Sequence, residues 1–130
     1  MRISLTALQK MKQDGERIAM LTAYDASFAA VVDAAGVDTI LIGDSLGMVV
    51  QGHDTTLPVT QRDAVYHTAC VARGTKRAFI MADLPFGSYQ SSPSQALETA
   101  ARFMKEANDY GSVSVGKVAD ILVVGGKPME

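Results

Sequence analysis

The sequence lacks several features that would place it in particular protein classes. Of its 130 residues only Cys70 is a cysteine, so no internal disulfide can form. There is no tryptophan, and 12 basic side chains stand against 14 acidic ones, so the chain has no basic character suited to nucleic acid. Its apolar runs fall far short of the roughly 20 residues of a membrane helix, and its start has no signal-peptide pattern. We therefore expect a cytoplasmic protein that binds neither nucleic acid nor membrane.

What the sequence does contain is an alternation of short apolar runs and amphipathic segments. The predicted elements are a helix at 4–13, a strand at 18–23, a helix at 27–35, a strand at 37–43, a loop at 46–59, a helix at 60–74, a strand at 77–83 and a helix at 92–107. The strands are almost wholly apolar, which is typical of strands covered on both faces. This order predicts an α/β fold built from βαβ units around a parallel sheet.

Aspartates lie at or just after the ends of all three predicted strands, at Asp25, Asp44 and Asp83. In α/β folds, ligands collect at the carboxyl ends of parallel strands. An aspartate after a strand can also be a helix N-cap or a turn residue, and Asp25, just before a predicted helix, fits that alternative well. Asp44 instead precedes a glycine-containing loop, and Asp83 precedes a Leu-Pro pair, which disfavours a helix start there.

Two neighbouring carboxylates repel each other unless a cation or a proton lies between them. Oxygen ligands of this kind suit Mg²⁺, which takes one or two carboxylates together with water and substrate oxygens. A 2-oxo acid offers such an ion a carboxylate and a ketone oxygen, and chelation polarises the carbonyl. The small residues Gly43, Ser45 and Gly47 would let backbone N–H groups approach a bound carboxylate. The pattern indicates a metal and oxo-acid site, with the capping and turn roles as the alternative.

The other chemistry-bearing side chains give weaker signals. His67 lies on a predicted helix and is interpreted as a packed or surface residue, whereas His53, in the loop, could contact a ligand. Cys70 fits the apolar side of the same helix as a small buried residue. No Cys/His metal spacing, phosphate-binding loop or nucleophile elbow occurs.

Four runs between residues 3 and 107 carry a specific resemblance: LTAYDASFA, ILIGDSLGMVVQGHDTTLPVT, AVYHTACVARG and FIMADLPFGSYQSSPSQALETAARFMKEA. In order and spacing they resemble the ketopantoate hydroxymethyltransferase (3-methyl-2-oxobutanoate hydroxymethyltransferase) family. The resemblance implies a (β/α)₈ TIM barrel, higher oligomers and Mg²⁺. It also implies hydroxymethyl transfer from 5,10-methylenetetrahydrofolate to 3-methyl-2-oxobutanoate, which gives 2-dehydropantoate in pantothenate biosynthesis. The family's roles carry over to Asp44 and Asp83 as metal ligands and to Asp44, Ser45 and Asp83 as substrate contacts.

The resemblance stops near residue 107. The family's next strand, with a Lys and a Glu that bind substrate and metal, and the later Glu proposed as general base have no counterpart, so no catalytic residue is assigned. About three of the eight βα units are matched. The tail GSVSVGKVADILVVGGKP instead resembles a structural β segment of amidohydrolase-type enzymes. We therefore expect two parts: residues 1–107 as part of a barrel, and residues 108–130 as an unrelated strand-and-turn tail.

This division predicts impaired catalysis by the isolated chain. A three-stranded parallel fragment leaves strand edges unpaired and apolar faces uncovered, so association into a homo-oligomer is expected. The alternative function is a catalytically inactive truncated or fused remnant that binds metal or oxo acid weakly, or acts only as an assembly module. An amidohydrolase activity is disfavoured, because the sequence has no His-x-His cluster.

Overall fold

A three-stranded parallel sheet forms the centre of the structure, a computed structural model that describes residues 2–109. The elements in chain order are α1 (Leu5–Gln13), β1 (Met20–Thr22), α2 (Ala26–Ala34), β2 (Thr39–Ile42), α3 (Leu46–Val49), α4 (Gln61–Gly74), β3 (Phe79–Ala82) and α5 (Pro93–Asp109). The strands lie in the order β1, β2, β3, and both neighbouring pairs are parallel. The α/β class and the parallel sheet expected from the sequence are therefore confirmed. The β segment expected in the tail lies, beyond Asp109, outside the described residues.

Local hydrogen bonds explain where the helices begin. Ser4 caps α1 through its side chain, and Thr60 with Asp63 forms the full capping box that starts α4. At α5 the Ser92 hydroxyl accepts a hydrogen bond from the Gln95 backbone N–H at 3.1 Å. These starts agree with the sequence-based predictions, because capping depends on residues only three positions apart.

A helical turn stands where the sequence predicts a loop. The segment expected to be a loop at 46–59 begins with α3, a single helical turn. Its residue Leu46 is fully buried, and Gly47 packs so closely that an added Cβ would lie 2.5 Å from Val59 Cγ2. The turn is thus held by tertiary packing, which a run rich in Gly, Thr and Asp does not reveal.

The hydrophobic core lies between the sheet and the helices α2 and α4, which pack against each other and against β2. Alternate residues of β2 and β3 belong to this core: Ile40, Ile42, Ile80 and Ala82. Strand β1 is much less covered, since its residues Met20 and Leu21 are about half exposed.

Hydrogen bonds at the amino ends of β2 and β3 fix how these strands align. The Asp33 carboxylate, at the end of α2, accepts from the backbone N–H groups of Lys76, Arg77 and Ala78 just before β3. The Arg77 guanidinium in turn donates to Asp38 Oδ1 at 3.0 Å, next to β2. The position of each strand's far end, where the aspartates lie, follows from this alignment.

Candidate functional site

Two aspartates meet at the carboxyl ends of β2 and β3. Asp83 follows β3 directly, and Asp44 follows β2 after one glycine. The backbone N–H of Asp44 donates to Asp83 Oδ1 at 3.1 Å, and both residues are partly buried. The structure thus brings together the two residues that the sequence analysis selected as metal ligands, because neighbouring parallel strands end at the same edge of the sheet.

The electrostatics of this pair are unfavourable for two negative charges. Burial raises the pKa of Asp83 to about 6, the neighbouring Asp44 carboxylate adds to the rise, and backbone N–H groups of Asp44 and Asp83 partly offset it. At neutral pH Asp83 is therefore mostly ionised, and its negative charge lies in the unfavourable field of the neighbouring Asp44 carboxylate. A divalent cation bound to both would remove that repulsion.

Ser45 lies beside the pair and hydrogen-bonds to a tyrosine. Its Oγ is 2.7 Å from Tyr24 Oη, which comes from the segment following β1. A Cβ added to Gly43 would lie 3.1 Å from Asp83 Oδ2 and 3.3 Å from Ser45 Oγ. The absence of a side chain at Gly43 therefore leaves the space into which the carboxylate and the hydroxyl converge.

Asp25, the third aspartate at a strand end, has a structural role. Its Oδ1 accepts from the backbone N–H groups of Ser27 and Phe28, at 2.8 and 2.9 Å, and so caps α2. This is the role that the sequence analysis favoured for Asp25. Ser45, which precedes α3, makes no side-chain capping bond there.

The remaining candidate residues of the sequence analysis are two histidines and a cysteine. His53 is exposed in the loop after α3. His67 is partly buried, and its Nδ1 lies 2.7 Å from the backbone carbonyl oxygen of Tyr24. Cys70 is partly rather than fully buried, and the Arg73 guanidinium donates to its Sγ at 3.2 Å.

Tyr24 is the site residue that the sequence analysis missed. It lies two positions after β1, at the same kind of strand end that selected Asp25, Asp44 and Asp83. A carboxylate at a strand end stands out by its charge, whereas a phenol followed by a helix cap fits equally well as a core residue. The same rule extended to hydroxyl groups would have found it.

Polar side chains at the carboxyl ends of a parallel sheet define a protein of the α/β class, in which ligand sites lie at this edge in both barrels and open sheets. A solved structure supports this class: the chain aligns with 2,3-dimethylmalate lyase, a PEP mutase/isocitrate lyase superfamily member, with a TM-score of 0.55 and 18% identity. The alignment covers 82% of this chain and 37% of that one. At this identity the likeness shows the fold alone, and it confirms the expected partial barrel.

A family model described as ketopantoate hydroxymethyltransferase matches residues 2–120. The chain therefore belongs to the ketopantoate hydroxymethyltransferase family, and the resemblance seen in the sequence is confirmed. Two relatives named 3-methyl-2-oxobutanoate hydroxymethyltransferase illustrate the match. The one from Thiobacillus denitrificans is 64% identical over 104 residues, which cover 80% of this chain and 40% of the relative. The one from Neisseria meningitidis is 53% identical over 131 residues, which cover 98% of this chain and 50% of the relative.

The chain thus spans half or less of the length of these curated relatives. Within residues 2–109 no group of three or more His, Cys, Asp or Glu side chains is arranged to hold a metal ion. In the same part of the chain, no helix has both the length and the apolar character needed to cross a bilayer.

Proposed function

We propose that this chain provides the metal and oxo-acid site for Mg²⁺-dependent hydroxymethyl transfer from 5,10-methylenetetrahydrofolate to 3-methyl-2-oxobutanoate. The product would be 2-dehydropantoate, on the route to pantothenate, in the cytoplasm. The observation that carries the proposal is the contact between Asp44 and Asp83, two partly buried residues in which the Asp44 backbone N–H donates to Asp83 Oδ1 at 3.1 Å. Family membership supplies the reaction class to which this geometry is applied.

The two aspartates fit the requirements of Mg²⁺. This ion is usually held by one or two carboxylates, with its other positions left to water and substrate oxygens, so a third protein ligand is not required. Asp44 and Asp83 would hold the metal, and the resulting neutralisation relieves their mutual repulsion. When bound, Mg²⁺ polarises the ketone of the oxo acid and stabilises negative charge that develops next to it.

Ser45 would contact the oxo acid together with the aspartates. Its hydroxyl and the carboxylate of Asp83 converge over Gly43, so a ligand bound to the metal would lie within reach of the hydroxyl. The described residues thus bind and orient the substrate. The group that removes the C3 proton is not identified among residues 2–109, and no catalytic residue is assigned there.

Two further parts of the proposal concern the whole chain. Residues 1–107 would form the barrel portion and residues 108–130 a separate segment, although α5 runs on to Asp109 and the family match to residue 120. The protein would also form homo-oligomers, since apolar side chains of β1 and α2 are exposed. A catalytically inactive assembly module is the second candidate function, and the same exposed side chains favour it.

The experiment measures exchange of the C3 proton of 3-methyl-2-oxobutanoate with solvent deuterium by NMR, with and without Mg²⁺. We expect slow Mg²⁺-dependent exchange by the wild-type chain, because no general base is assigned in it. Asp44→Asn and Asp83→Asn should lower the exchange rate about tenfold or more, because the cation that stabilises the developing negative charge is no longer held. Asp54→Asn, at an exposed loop aspartate, is the matched control and should exchange like the wild type.

Titration with Mn²⁺ separates cation binding from turnover. The bound ion is detected by its paramagnetic effect on the relaxation of water protons. In one outcome the wild type binds the cation and both site variants lose that binding, while the wild type shows no proton exchange above background. That combination would support the catalytically inactive assembly module. Equal cation binding by the wild type and both site variants would overturn the metal site itself.

A further inference from the structure

A hydroxyl pair that bridges two strand ends lies next to the proposed metal ligands. Tyr24 Oη and Ser45 Oγ are 2.7 Å apart, and both residues are partly buried. Tyr24 belongs to the segment after β1 and Ser45 to the segment after β2. The pair therefore connects β1, which provides no carboxylate to the site, to the residues that do.

The alignment of the sheet places this tyrosine level with the site. Backbone N–H groups of Ala23 and Asp83 donate to carbonyl groups of β2 at 3.2 and 3.1 Å, so the strand pairing continues beyond the ends of β1 and β3. Counting onward from the paired residues brings Tyr24, Gly43 and Asp83 side by side across the three strand ends. Gly43, in the middle, has no side chain to separate its neighbours.

A second hydrogen bond holds the backbone of Tyr24. His67 Nδ1, on α4, lies 2.7 Å from the Tyr24 carbonyl oxygen. A carbonyl oxygen only accepts, so Nδ1 carries the proton and donates. Tyr24 is thus tied to α4 by its backbone and to Ser45 by its hydroxyl.

The direction of the hydroxyl bond decides what Ser45 can offer a ligand. Each of the two hydroxyl groups has one proton. If Ser45 donated to Tyr24, it would present only lone pairs to an anionic oxygen, which is repulsive. If Tyr24 donates to Ser45, the serine proton is free to be donated to a carboxylate.

We propose that Tyr24 is a positioning residue, which donates its phenolic proton to Ser45 Oγ and so directs the Ser45 hydroxyl proton to the carboxylate of the bound 2-oxo acid. This inference rests on the proposed function and deepens it, because it names the group that orients the substrate contact. Tyr24 itself acts through Ser45 and need not touch the substrate.

A double-mutant cycle on oxo-acid affinity tests the inference. Dissociation constants of 3-methyl-2-oxobutanoate are measured by calorimetry at saturating Mg²⁺ for the wild type, Tyr24→Phe, Ser45→Ala and the double variant. We expect Tyr24→Phe to weaken binding about three- to tenfold, the usual range for loss of one hydrogen bond, and Ser45→Ala to weaken it at least as much. The double variant should bind like Ser45→Ala alone, because Tyr24 acts only through Ser45.

Tyr66→Phe is the matched control, since Tyr66 is exposed on α4 and this change also removes only a hydroxyl. It should leave oxo-acid affinity unchanged. Equal affinity of Tyr24→Phe and the wild type would overturn the positioning role, as would independent, multiplicative losses in the double variant. Absence of Mg²⁺-dependent oxo-acid binding in the wild type would instead overturn the proposed function, and the positioning role with it.

If Tyr24→Phe does not fold, NMR of chains that retain Tyr24 gives the same test. Their tyrosines are labelled with ¹³C at the ring Cζ. Addition of oxo acid and Mg²⁺ should shift the Tyr24 resonance in the wild type. The Ser45→Ala change should abolish that response. A response that persists in Ser45→Ala would contradict transmission through the serine.

Discussion

Asp83 holds its proton to a higher pH than an ordinary aspartate, and this has a consequence for stability. Its folded pKa is about 6, whereas the ordinary value is 3.8. Between these values the folded chain keeps a proton that the unfolded chain has lost. The contribution of Asp83 to the free energy of unfolding is therefore largest at low pH and declines as pH rises through about 6.

Asp83→Asn removes this dependence. We expect the variant to be more stable than the metal-free wild type at pH 7.5 by on the order of 1 kcal/mol, which is less than the full shift implies because the carboxyl is only half-buried. Urea unfolding between about pH 4 and pH 7.5 measures the difference, which should shrink towards the acid end. Parallel pH profiles for the variant and the wild type would contradict the pKa shift.

At the residue scale the sequence located the carboxylates better than their surroundings. Asp44, Ser45 and Asp83 follow apolar runs, and the ends of such runs can be read directly from the chain. The contact between Tyr24 and Ser45 cannot be read this way, because it joins residues 21 positions apart through the pairing of two strands. The raised pKa of Asp83 could not be predicted from the sequence either, because it depends on how deeply the fold buries that carboxyl group.

At the scale of elements, Gly74 sets how closely α2 and α4 approach. A Cβ added there would lie 2.2 Å from the carbonyl oxygen of Ala26, a backbone atom that cannot move alone. Gly74→Ala should therefore force the helices apart and lower the free energy of unfolding by about 2 kcal/mol, since the cost of overpacking exceeds alanine's helix preference. Urea unfolding of both chains measures this loss.

Gly15→Ala provides the comparison. Gly15 has a φ of +75° and nothing within 4 Å of an added Cβ, so alanine there meets backbone strain without a clash. Its cost should be about 1 kcal/mol. A Gly74→Ala variant that loses no more stability than Gly15→Ala would show that the helices are not held at this distance by the glycine.

Elements set by neighbouring residues could be predicted from the sequence, whereas elements set by tertiary contacts could not. The start of α4 was predictable because Thr60 and Asp63 form its capping box within one turn. Turn α3 was not, because the burial of Leu46 and the packing of Gly47 against Val59 are contacts made outside the turn itself, which its own residues do not reveal. Strand β1 is shorter than predicted, with only the three residues Met20–Thr22, because only part of the apolar run pairs with β2.

At the scale of the whole molecule, exposed apolar side chains predict self-association. Phe28 and Val31 lie one turn apart on α2 and are 69% and 68% exposed, and Leu21 on β1 is 52% exposed. We expect the sedimentation coefficient to rise with protein concentration, because association removes this surface from water. Phe28→Gln with Val31→Gln should weaken the rise and leave the unfolding midpoint nearly unchanged.

The matched control for this change is Tyr66→Gln, at an exposed aromatic residue on α4. It should associate like the wild type. A chain that sediments as a monomer at every concentration would remove both the expected homo-oligomer and the assembly-module alternative.

The alignment of β2 and β3 makes the carboxylate pair a reporter of correct folding. The Asp33 and Arg77 hydrogen bonds fix that alignment at one end of the strands, and the contact between Asp44 and Asp83 depends on it at the other. A slip of one residue would turn the Asp83 side chain to the opposite face of the sheet and separate the pair. A chain with native helix content and a misaligned sheet would then not bind a divalent cation at this site. Cation binding can therefore distinguish native from near-native chains during refolding.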